Sequence, residues 1–75
     1  MFTENINLSS VNDVKKFVNF VSAYNFKIEL ASGRYTVDAK SIMGVFSLDL
    51  AKPIKMTAYT DDEKFIDNVK QFIVA

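Results

Sequence analysis

The side chains able to do chemistry in this 75-residue chain are hydroxyls, carboxylates and cations, because it contains no cysteine and no histidine. That double absence removes thiolate metal sites, thiol nucleophiles, Ser-His-Asp machinery and every use of an imidazole as proton shuttle, metal ligand or phosphate acceptor. Three clusters stand out by spacing. Ser10 precedes Asp13 by three residues, Ser41 stands directly before the apolar run from Ile42 to Leu48, and Thr60-Asp61-Asp62-Glu63 sets a hydroxyl and three acids before Phe65. The plainest chemistry in each case is hydrogen bonding to the unpaired N–H groups of a helix start. Three consecutive acids there complement the helix dipole far more often than they hold an ion, so no metal and no cofactor is expected. Lys15-Lys16 reads by default as a solvated helix face.

Nine Lys and Arg balance nine Asp and Glu, whereas a nucleic-acid binder gathers a basic excess on one face, so no nucleic-acid partner is expected. The longest apolar runs, such as Phe72 to Ala75, fall far short of the roughly 20 residues of a membrane span, and Met1 to Leu8 has no basic start. The expectation is a soluble, cytoplasmic protein with no membrane partner. Apolar residues make up 49% of the chain and aromatics 13%, enough for one core, and the length holds one domain over residues 1–75.

The elements that must position these clusters follow from periodicity. Phe2, Ile6 and Leu8 alternate with polar residues as a strand does, Glu4 being the misfit. Val14, Phe17, Val18 and Val21 fall on one face of a helix predicted to start near Val11, capped by Ser10, and to end near Tyr24-Asn25. Phe26, Ile28 and Leu30, the Ser32-Gly33 turn, then Tyr35 and Val37 predict a hairpin. Ser41 to Leu48 reads as a short, partly exposed helix with Val45 and Leu48 inward and Met43 and Phe46 outward. Gly44 weakens it by about 1 kcal/mol relative to alanine. After Pro53, Ile54, Met56 and Ala58 predict a fourth strand. Thr60 to Glu63 caps a last helix, whose stripe is Phe65, Ile66, Val69, Phe72 and Ile73. The order β-α-β-β-α-β-α predicts an α+β, open-faced sandwich in which helices cover one face of a four-stranded antiparallel sheet.

The run Val37-Asp38-Ala39-Lys40-Ser41-Ile42-Met43-Gly44-Val45-Phe46-Ser47-Leu48 resembles the central signature of HPr, the phosphocarrier of the bacterial sugar phosphotransferase system, in its Gram-positive branch. The length and element order resemble HPr over nearly the whole chain. Outside these dozen residues the likeness is one of pattern, and it implies the HPr-like fold.

HPr proteins carry the phosphoryl group on a histidine in a Gly-x-His-x-Arg-Pro loop between the first strand and first helix. Here that segment reads Leu8-Ser9-Ser10-Val11-Asn12-Asp13-Val14, about three residues shorter, without the histidine, arginine or proline. Asp13 sets a negative charge where the family's helix start receives phosphate, so transfer along the histidine route is not expected.

What the resemblance carries over is Ser41, matching the serine phosphorylated by the regulatory kinase of Gram-positive homologues, with Lys40 as a nearby cation. It also implies docking of partner proteins, a kinase of HPr type or a transcriptional regulator, through Lys40, Ile42, Met43 and Phe46. A serine before a helix is in most chains a cap and nothing more, and that reading stands beside the regulatory one. The expectation is a non-enzymatic, HPr-like regulatory or docking protein, similar to the catabolite-repression branch that lacks the histidine and keeps the serine. The alternatives are a phosphoryl relay through a non-histidine acceptor, with Ser10 nearest the vacated position, and an orphan structural domain.

Overall fold

The computed structural model describes residues 1–73. The last two residues of the apolar run, Val74 and Ala75, lie outside the described residues. Strand β1 (Phe2–Ile6) leads to helix α1 (Val11–Ser22), the hairpin β2 (Ile28–Ser32) and β3 (Tyr35–Asp38), the short helix α2 (Ile42–Phe46), strand β4 (Ile54–Ala58) and helix α3 (Glu63–Val69). A 3-10 turn follows over Lys70–Phe72. The sheet is antiparallel throughout, in the order β1-β4-β2-β3. The last strand therefore sits between the first strand and the hairpin.

Alternation sorts the side chains of the sheet. Ile6, Ile54, Met56, Ala58, Ile28 and Leu30 point to the helical side and are buried, while Lys55, Thr57 and Glu29 of the same strands face the other way. The α1 stripe of Val14, Phe17, Val18 and Val21 is buried as its spacing predicts, with Phe65 and Val69 of α3 and Phe72 beside it. No buried polar or charged side chain interrupts this core among the described residues. Rings join the two longer helices: Phe65 stacks on Phe20 at 5.6 Å and meets Tyr24 and Phe26 edge-on at 5.0 Å each. On the solvated side of the sheet the Tyr59 hydroxyl donates to Glu29 at 2.6 Å, and that hydrogen bond to a carboxylate lifts its pKa above the ordinary phenol value.

Several boundaries move from where periodicity places them. Helix α1 ends at Ser22, capped by Ala23, rather than near Tyr24-Asn25, because Tyr24 and Phe26 turn into the aromatic cluster. Strand β2 accordingly begins at Ile28, two residues late. Leu8 is buried but lies beyond β1. The cap of α3 is Asp62, whose carboxylate accepts the N–H groups of Lys64 and Phe65, and not Thr60. Thr60 instead accepts the Asp62 N–H at 3.0 Å, ordering the approach to the cap. Asp61 is drawn away to the amino terminus of Met1, 3.3 Å distant.

Candidate functional site: Ser41, helix α2 and the start of α1

The turn that delivers Ser41 is built from Asp38. Its carboxylate accepts the Lys40 N–H at 2.9 Å and its carbonyl accepts the Ser41 N–H at 3.0 Å, a local closure for which a short acceptor side chain is suited. Ala39, between them, is buried and anchors the turn to the core. Ser41 then has extended backbone angles and its hydroxyl oxygen accepts the Gly44 N–H at 3.3 Å, making it the N-cap of α2. The hydroxyl is solvent-exposed.

Gly44 has a reason that its helix propensity hides. A Cβ at this position would lie 3.3 Å from the Ser41 oxygen and 3.4 Å from the Cβ of Val37. Glycine lets the capping serine and strand β3 close on the helix. Replacing Ser41 by alanine removes the cap acceptor and is expected to cost about 1 kcal/mol, whereas Ser41→Asp keeps an acceptor and costs less. Urea unfolding of both variants checks the order, and equal losses would remove the cap from the account.

One face of α2 is anchored and the other is open. Val45 and, just beyond the helix, Leu48 are buried against the core, which leaves Ile42, Met43 and Phe46 outward at 37%, 77% and 37% exposure. Helical spacing makes Phe46 the neighbour of both others, because it stands four residues on from Ile42 and three on from Met43. Ser41 adjoins them at the N-terminal end. Lys40 is placed differently. Its ammonium donates to the carbonyls of Tyr24 at 2.6 Å and Phe26 at 3.0 Å, fastening the α1–β2 loop rather than standing free next to Ser41. That role spans 14 to 16 residues of sequence and no local pattern announces it.

The start of α1 is closed by its own side chains. Ser10 accepts the Asp13 N–H at 3.1 Å, and the Ser9 hydroxyl donates to the Asp13 carboxylate at 3.4 Å. An anion approaching these N–H groups meets a carboxylate already in the first turn. Among the described residues no group of three or more acids could hold a metal ion, and no helix is long and apolar enough to cross a membrane.

Comparison with known proteins places this geometry. A crystal structure of HPr-C-His from Thermoanaerobacter tengcongensis superposes with a TM-score of 0.79 at 26% identity, covering 97% of this chain and 91% of that one. A phosphocarrier protein HPr from Bacillus anthracis gives 0.72 at 23%, over 97% and 94% of the two chains. A histidine-containing phosphocarrier protein from Mycoplasma gives 0.71 at 20%, over 93% and 86%. No curated protein matches the chain. The family model described as the PTS HPr component phosphorylation site matches residues 11–74, beginning within the Leu8-to-Val14 segment that stands where the family's acceptor loop would lie. On that match, joined to the shared sheet order and helix placement, the chain belongs to the HPr family of phosphotransferase-system phosphocarriers.

Proposed function

We propose that this protein is a member of the HPr family that does not carry phosphoryl groups itself and acts by docking proteins on α2, with Ser41 as a control point. The observation that carries the reading is the pairing of an exposed apolar face, Ile42, Met43 and Phe46, with a chain that holds no histidine. Apolar side chains set together on a surface mark contact sites, and flexible methionine suits an adaptable one. The partner is a protein, a kinase of HPr type or a transcriptional regulator, in the cytoplasm where the family works. No catalytic step is assigned to the chain.

Phosphorylation of Ser41 would add about −1.5 to −2 charge beside the apolar face, changing its contacts by electrostatics. Lys40 supports the site from beneath, through the Tyr24 and Phe26 carbonyls, and is not counted among the contact residues here. A relay through Ser10 gains little support, since that oxygen caps α1 and Asp13 repels an incoming phosphate. A serine ester is also a far poorer phosphoryl donor than a phosphohistidine.

Two labelling reactions test the proposal, with a genuine HPr alongside. A Gram-positive HPr kinase with ATP should add the mass of one phosphate, lost in Ser41→Ala. Phosphoenolpyruvate with the first enzyme of the system should add none. Label in the second reaction would revive the relay, and no label in the first removes Ser41 as a control point. Binding partners that survive both Met43→Asp and Phe46→Asp would remove the docking face.

A further inference from the structure

The β2–β3 turn and the segment after α2 enclose an open cavity of about 400 Å³, lined by Gly33, Arg34, Tyr35, Ser47, Asp49 and Lys52. Small-molecule sites run from about 300 to 1,000 Å³. Gly33 holds φ +60°, and nothing lies within 4 Å of where its Cβ would stand, so the floor of the turn is bare backbone with space above it. The ion pairs among the described residues join Met1 to Asp61, Lys27 to Glu29 and Lys70 to Asp67, which leaves Arg34 and Lys52 without an acidic partner. The Ser47 hydroxyl donates to the Gly44 carbonyl, so its oxygen retains acceptor capacity but its proton is committed. One Asp49 oxygen accepts the Ala51 N–H at 3.1 Å. Tyr35 contributes a ring that is 72% exposed.

We infer that this cavity takes a small hydroxylated phosphate monoester, its phosphate on Arg34 and Lys52 and its hydroxyl donating to Asp49. A guanidinium fork matches phosphate oxygens two at a time, and a lysine from a separate segment adds a second positive charge suited to a dianion. Asp49 decides the rest of the ligand. A carboxylate repels a bare anion and accepts from a hydroxyl, so it favours a molecule that brings both groups. The Tyr35 ring offers the carbon skeleton an apolar wall. None of this depends on docking through α2 or on Ser41.

Amide chemical shifts of the whole chain, followed by NMR during titration, test the inference with three probes. Glycerol 3-phosphate should move the amides of Gly33, Ser47 and Lys52 saturably, with a Kd of about 1 mM or tighter. Inorganic phosphate should move the same amides several-fold more weakly, and glycerol should not move them. Arg34→Gln and Lys52→Gln, both at exposed positions, should each weaken the ester roughly tenfold or more while the remaining spectrum stays unchanged. Asp49→Asn keeps an acceptor for Ala51 and should narrow the gap between the two phosphates by tightening the inorganic one. Absence of saturable shifts, equal affinity for the two phosphates, or binding indifferent to both cation replacements would overturn the site.

Discussion

Phe65→Ala is expected to lower stability by about 3–5 kcal/mol, the range for truncating a buried aromatic ring. Phe65 is fully buried and is the ring on which Phe20 of α1 stacks and which Tyr24 and Phe26 strike edge-on. Its loss therefore removes three ring contacts and the transfer energy of the side chain together. A domain of 75 residues holds roughly 4–11 kcal/mol in all, taking about 0.05–0.15 kcal/mol per residue, so the variant loses between about a quarter of its stability and the whole of it. Phe65→Leu, which keeps most of the volume, is expected to cost about 1.5 kcal/mol. Urea titration measures both. A loss below about 1 kcal/mol for the alanine variant would mean that the surrounding rings collapse into the gap, and the cluster would not be the joint between α1 and α3.

Lys40→Met should cost about 1.5 kcal/mol, the lower end for hydrogen bonds to a charged group because this ammonium is only half-buried. Methionine keeps the length of the side chain and leaves the Tyr24 and Phe26 carbonyls without their donor. The residues that lose those bonds are two of the rings that meet Phe65. The two substitutions brace the same loop, so their costs should not add, and the double variant should lose less than the sum. Additive losses within about 0.3 kcal/mol would separate the lysine from the cluster. A variant as stable as the parent would show that water replaces the ammonium at no cost.

The parts of the fold that local spacing controls were legible in the residue order. The α1 stripe, the Ser32-Gly33 turn, the Ser41 cap and the alternation of β4 each need no partner beyond a few residues, and each lies where its pattern predicts. The HPr-like arrangement was legible through the resemblance carried by the Lys40-to-Leu48 run. The α3 cap was misplaced because Thr60 and Asp62 are both good cap residues. The choice between them is made by the chain leaving β4, where the Tyr59 N–H reaches the Lys27 carbonyl. Strand order was not legible, because neither β1 nor the hairpin states in its own residues which side of β4 it takes. At the candidate site the exposure of Met43 and Phe46 followed from helical geometry, whereas the grip of Lys40 and the cavity at Arg34 and Lys52 arise between segments distant in sequence. Only the assembled chain brings those groups together.

The central place of β4 bears on the order in which the molecule is made. Neither β1 nor the hairpin shares backbone bonds with the other, since Phe2–Ile6 and Ile28–Ala31 each pair with Ile54–Ala58. A nascent chain emerging from the ribosome can form α1 and the β2–β3 ribbon as separate pieces, but it lacks the strip that stitches them until residue 58 is out. Assembly is thus deferred until the fourth strand has emerged, and the apolar sides of both early pieces stay uncovered meanwhile. A tether that holds residues 54–58 inside the exit tunnel should keep the emerging portion protease-sensitive, and lengthening it past that point should confer resistance in a single step.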